Sequence, residues 1–234
     1  MSRKDRKQDQ IRPLSISTNV NAYAEGSAMI SMGNTKVLCT ASIESKVPPW
    51  LEGKGKGWVT AEYSMLPRAT HTRSRRDREK ISGRTQEIQR LIARSLRACV
   101  NLSALGEVMI TVDCDVLQAD GGTRTASING GCVALKCAID GLIAQGKCSK
   151  EAWVQSVSAV SIGRRGGEML VDLDYEEDSS CDVDMNFVVT SRSEFVEIQG
   201  TAEKECFNKG NLTEMIDAAL TTCSAILEIQ KSRV

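Results

Sequence analysis

Histidine is almost missing: His71 is the only one in 234 residues. That leaves little from which to build a histidine-activated nucleophile or a zinc site. No CxxC pair occurs, although there are nine cysteines, all standing singly. Most lie among apolar neighbours, which predicts reduced core thiols in a cytoplasmic protein. No stretch approaches the roughly 20 apolar residues of a membrane span, so no membrane partner is expected. The opening MSRKDRKQDQ is charged and has no apolar signal core, which argues against export. Short repeats and low-complexity tracts are lacking too.

Net charge is zero, yet its distribution is uneven. Residues 1–100 carry 19 Lys+Arg against 9 Asp+Glu, and residues 101–234 carry 11 against 21. A basic half and an acidic half suit a polyanion on one side and a cation on the other, or else neutralise each other across an internal face. Length and a 41% hydrophobic content allow a sizeable core.

Two apolar runs in 27–43 meet at Gly33-Asn34, a hairpin signal. Residues 44–83 read as loop. Apolar residues at helical spacing predict a helix over 84–102, and alternation over 105–117 predicts a strand. A buried helix is expected over 126–145 with Gly146 as its stop. Strand pairs are expected at 154–162 and 168–175 around Gly163-Arg-Arg-Gly-Gly, and at 185–190 and 195–199 around Ser191-Arg-Ser. Asn211, with Glu214 three residues on, is expected to cap a final amphipathic helix. The pattern describes one α/β unit of 1–234, divisible near residue 150 into a phosphate- and RNA-binding half and a carboxylate-bearing half.

Three stretches carry chemistry. In QADGGTRTASING (118–130), a strand ends at Asp120-Gly121-Gly122 and a helix opens with Thr123-Arg124. Glycines permit a sharp turn with uncovered N–H groups, a helix start favours anions, and arginine adds a forked donor. Gly122, Thr123 and Arg124 are therefore candidate phosphate ligands; a plain turn with a surface arginine is the alternative. In GRTQEIQRLIARSLR (83–97), Arg84 sits at a second helix start, so the two arginines can converge on one phosphate. Arg94 and Arg97 read as a solvated helix face. The third stretch, VDLDYEEDSSCDVDMNF (171–187), holds seven carboxylates, and such crowding calls for a cation or arginine. Asp178 and Asp184 flank a short loop and can reach one magnesium ion.

A basic run, Arg68, His71, Arg73, Arg75, Arg76 and Arg78, has the composition of a nucleic-acid backbone-binding arm. Trp58 or Tyr63 upstream offers a ring for base stacking.

These stretches, with IRPLSI (11–16), AEGSAMISMGNTKVLCTASIE (24–44), GKGWVTAEYSMLPRATHTR (55–73) and VEIQGTAE (196–203), resemble bacterial RNase PH over nearly the whole chain. The resemblance implies an α+β fold of mixed sheets and helices with a left-handed βαβ crossover, and a homohexameric ring built as a trimer of dimers. It implies phosphorolytic 3′→5′ trimming of tRNA precursors, with inorganic phosphate as co-substrate and nucleoside diphosphates as product. It carries phosphate binding to Arg84, Gly122, Thr123 and Arg124, catalysis and magnesium or manganese binding to Asp178 and Asp184, and RNA binding to Arg68, Arg73 and Arg76. Asp184 is either a metal ligand or the proton donor to the departing 3′-oxygen. A non-catalytic RNA-binding ring subunit of an exosome-like assembly is the second expectation, and a two-metal hydrolase the third. TAEKECF (201–207) departs from the family in lacking a glycine and a proline after the TAE, and RRDREKISGR (75–84) is short for it.

Overall fold

A computed structural model describes residue 3, residues 6–76 and residues 81–234 of the chain. Arg78 of the basic run lies outside the described residues. Two sheets share one long helix. The first sheet holds β1 (Leu14–Thr18), β2 (Gly26–Met32), β3 (Thr35–Glu44), β4 (Trp58–Met65) and β5 (Met109–Gln118), in the order β1-β2-β3-β5-β4. All neighbours are antiparallel except β4 and β5. That parallel pair is joined through α1 (Gly83–Arg97) and the short α2 (Leu102–Leu105), as a parallel connection requires. The second sheet is antiparallel, β7-β6-β8-β9, built from β6 (Val157–Arg165), β7 (Glu168–Val171), β8 (Val183–Thr190) and β9 (Phe195–Ala202).

The helix α3 (Thr123–Ala144) packs on β2, β3, β5 and β6, between the sheets. Over 125–135 every residue of the helix is buried, so apolar side chains point in every direction there; beyond it one face, with Lys136 and Asp140, is partly open. By length and composition it could cross a membrane, contrary to the expectation from apolar runs, but its place here is the middle of a core. Gly26 lets it approach β2: a Cβ there would fall 2.0 Å from the Ala134 carbonyl oxygen. Asn129 ties α3 to β6, donating from Nδ2 to the Ala159 carbonyl (2.9 Å) and accepting from its N–H at Oδ1 (2.8 Å). The last helix, α5 (Lys209–Lys231), covers the second sheet with Met215, Ala219, Cys223 and Ile226.

Several readings need correction. The stretch 44–83 contains β4, whose small Ala61 weakens the alternation of Val59, Ala61 and Tyr63. The strand read over 105–117 begins at Met109, and Leu105 belongs to α2. The strand over 168–175 stops at Val171, because Asp172 takes φ +57° and Asp174 caps a helix, α4 (Tyr175–Ser180). Asn208 rather than Asn211 caps α5; Asn211 is the reciprocal partner three residues on. Arg94 lies on the exposed face as read, pairing at the surface with Glu197 (2.9 Å), whereas Arg97 is half-buried, 4.6 Å over the Trp58 ring.

Candidate active site

Strand β5 ends where Ala119 donates to the Ala69 carbonyl (2.8 Å). The exposed basic segment carrying Arg68, Arg73 and Arg76 therefore leaves from beside the turn that follows β5. Gly121 (φ +73°) and Gly122 (φ +63°) make that turn, in a region that L side chains avoid. Gly121 also lies against α4: a Cβ would come within 2.5 Å of the Asp174 carbonyl carbon. Gly122 caps α3 without a side-chain bond of its own. The first N–H groups of α3 thus have no intrahelical acceptor, beside Thr123, whose Oγ1 accepts a 2.9 Å bond from the Tyr63 hydroxyl, and beside Arg124.

Arg124 is held from two sides. Its Nη1 donates to Gln199 Oε1 on β9 (2.9 Å), and its Nη2 lies 3.7 Å from Glu87 Oε2 on α1. Gln199 Nε2 donates in turn to Glu87 Oε1 (2.9 Å), closing a triangle across three elements. Arg84, one turn before Glu87, is exposed and pairs with no carboxylate among the described residues. Its charge and that of Arg124 both bear on Tyr63 and on Asp178.

The seven carboxylates divide into separate tasks. Asp172, fully buried, takes Arg12 in a forked bond (Nη2 2.6 Å, Nε 3.0 Å) and the Arg12 N–H (2.7 Å). Glu177 takes Arg3 (2.5 and 2.8 Å) and Arg6 (2.8 Å). Burial alone would push the Glu177 carboxyl up, but Arg3 outweighs it and holds it below the usual range. Asp174 caps α4, and Asp182 accepts from the Gly166 N–H (2.8 Å). Glu176 is exposed. Asp178 and Asp184 remain, and the charge of Arg124 acts on both.

Desolvation by the surrounding protein pushes the Asp178 carboxyl up, against the pull of Arg124, Arg84 and Arg12. Asp184 is also pushed up, first by desolvation and then by the charges of Asp178 and Glu203, with Arg124 opposing. Asp178 stays solvent-accessible on α4, and Asp184 is half-buried at the start of β8. Two carboxylates held above their ordinary range, both under the charge of Arg124, are a group that can take an anion, a proton or a cation. Among the described residues no group of three or more His, Cys, Asp or Glu is arranged to hold a metal ion.

Arg12 couples the parts. Besides Asp172 it donates from Nη1 to the Asp120 carbonyl (2.5 Å), so one guanidinium joins the glycine turn to the root of α4. Arg12, Glu87 and Gln199 were not singled out by sequence reasoning. Glu87 had a signal, lying one helical turn from Arg84; the others depend on contacts 75 to 160 residues apart in sequence. The two rings proposed for stacking do something else. Tyr63 is buried and bonds Thr123, while Trp58 packs against Trp50 and Arg97.

Residues 10–139 match domain 1 of the 3′ exoribonuclease family, and residues 155–222 match its domain 2. The fold is similar to that of rice (Oryza sativa) Rrp46, with 18% identity over 97% of each chain and a TM-score of 0.79. It is also similar to an Archaeoglobus fulgidus exosome with RNA bound to the active site. There identity is 21% over 97% of this chain and 92% of that one, at a TM-score of 0.79. An archaeal exosome core gives 21% identity over 97% and 89%, and a TM-score of 0.78. At these identities the shared property is the fold.

Proposed function

The chain belongs to the 3′ exoribonuclease family and has its RNase PH-like fold, and on that premise we propose that it shortens RNA from the 3′ end by phosphorolysis. The observation that carries this reading is Arg124 at the start of α3, after the Gly121-Gly122 turn, held by Gln199 and Glu87 and acting on both Asp178 and Asp184. Arg84, Arg124, the Thr123 hydroxyl and the first N–H groups of α3 hold inorganic phosphate. A phosphate oxygen attacks the phosphorus of the terminal phosphodiester. The bond from that phosphorus to the upstream 3′-oxygen breaks, and a nucleoside 5′-diphosphate leaves. Phosphate is already a nucleophile, so alignment and charge neutralisation supply most of the acceleration. Asp184, held above its ordinary range, donates the proton that the departing 3′-oxygen takes up.

In the alternative, Asp184 stays ionised and with Asp178 would hold magnesium or manganese, which need one or two carboxylates when phosphates and water complete the shell. Bound there, the ion would neutralise charge on the phosphates. The exposed Arg68, Arg73 and Arg76, leaving from beside the turn, take the RNA backbone. The resemblance to RNase PH extends the proposal to tRNA precursors as substrate, a homohexameric ring and a cytoplasmic setting.

A second reading is an RNA-binding ring subunit with no turnover of its own, and the exosome structures among the similar folds favour it. One experiment separates the two. A 3′-extended RNA is incubated with and without inorganic phosphate, and the products are identified. Shortening that requires phosphate and releases nucleoside diphosphates, lost in Arg124→Ala while RNA binding survives, is the expected result. RNA bound but left intact supports the ring subunit; monophosphates released without phosphate support hydrolysis.

A further inference from the structure

One aromatic ring stands uncovered at the edge of this site. Tyr175 opens α4, is 58% exposed, and its side chain has no hydrogen bond and no ring or cation partner among the described residues. Its N–H donates to Asp120 Oδ1 (3.4 Å), and the Asp120 carbonyl is the one gripped by Arg12. The residue before it, Asp174, is the one Gly121 packs against. Tyr175 is thereby fixed to the phosphate turn, and Asp178, three residues on, shares its helix face.

The other aromatics with exposed rings lie elsewhere. Trp50 packs on Trp58, which pairs with Met109 at the far end of β5. Met109 and Gln118 are the two ends of the ten-residue β5, about 30 Å apart at 3.3 Å per step. Tyr23, 96% exposed, precedes Gly26, whose partner Ala41 pairs with Val112, six residues before the end of β5. A lone exposed ring needs no explanation by itself; this one is set one helical turn from a candidate catalytic carboxylate.

We infer that the Tyr175 ring is the platform on which the base of the 3′-terminal nucleotide stacks. The inference rests on the 3′-end reading of the site. Every base presents a π-face, so a stacking platform accepts any of the four, as an enzyme that removes nucleotides one after another requires. Asp178 and the phosphate turn then receive the backbone of that same nucleotide.

The test is a binding cycle. Fluorescence anisotropy, without phosphate, measures Kd for a single-stranded RNA with an intact 3′-terminal nucleotide and for the same RNA ending in an abasic ribose. For the wild type, the abasic end is expected to weaken binding roughly tenfold, the worth of one base–aromatic stack. Tyr175→Ala is expected to lose about the same factor on intact RNA and little more on the abasic end, since the two losses are one interaction. Tyr175→Phe keeps the ring and restores the affinity. Equal penalties for the abasic end in wild type and Tyr175→Ala, or undiminished binding of intact RNA by Tyr175→Ala, overturns the inference. Turnover is read separately: a cycle that closes as expected while no nucleoside diphosphate forms upholds the platform and defeats phosphorolysis.

Discussion

Removing the Arg12 guanidinium is the sharpest stability test of this architecture. Arg12 and Asp172 are 5% and 0% exposed, and their forked bond is supported by the Arg12 N–H. Burial disfavours the Arg12 charge, but bonding to Asp172 outweighs it and holds the group more firmly protonated. Arg12→Met keeps the stem that lies against Gly33 and deletes the charge. Breaking a buried pair costs about 3–5 kcal/mol, because the remaining charge is stranded. Arg6 Nη1, 3.5 Å from Asp172, stays behind and sets the expected loss near the low end, about 3 kcal/mol. In a chain of 234 residues that lowers the melting midpoint by roughly 6 °C. Asp172→Asn removes the other charge without a new backbone penalty, since asparagine tolerates the φ of +57° about as well as aspartate. Urea unfolding followed by circular dichroism, at a common m-value, gives the four free energies of the cycle. The double variant strands no Asp172 charge and is expected to recover at least half of the summed single losses. A loss below about 1 kcal/mol for Arg12→Met, or a double variant as weak as the sum, refutes the clamp.

Two further outcomes follow from the site. The Asp184 carboxyl is held above the ordinary range, so its contribution to stability is complete below that range and is lost as pH rises through the folded value. Asp184→Asn is therefore expected to melt higher than the wild type near neutral pH, to lose that advantage in acid, and to have no turnover; a lower midpoint at neutral pH would contradict the assigned shift. Gln199→Ala frees one side of the Arg124 guanidinium without touching either carboxylate. A fall in kcat of roughly ten- to a hundredfold, with RNA affinity intact, is expected from misplacing one group by about 1 Å; steady-state rates against phosphate check it.

The parts of this molecule legible from sequence are those whose signal is local. Helix α3 and strand β5 carry dense apolar patterns, and Gly121-Gly122 marks the turn between them. The candidate residues Arg84, Arg124, Asp178 and Asp184 could be named because each sits in a short block with its own chemistry. Helix α4 was missed because YEEDSS has no apolar face to bury. Its one sequence sign is the reciprocal cap of Asp174 and Glu177, hidden in a row of acids. The sorting of those acids was illegible for a different reason. Their partners, Arg3, Arg6 and Arg12, lie 160 or more residues upstream in a segment that reads only as charged. Tyr63 misled because a strand that alternates weakly passes for loop, and a buried ring in a loop looks available.

The Asn129 side chain presents to Ala159 the donor and acceptor that an adjacent strand would present, and Gln230 donates to both the Asn129 and Val157 carbonyls. The seam between α3 and the second sheet is therefore sewn with backbone-grade stitches instead of being left as a greasy slip plane. Jaw-like closure about that seam would have to tear them. Arg124 at the start of α3 and Asp184 on β8 are thus linked through these bonds and the β6–β8 ladder, so their relation is set when the chain folds.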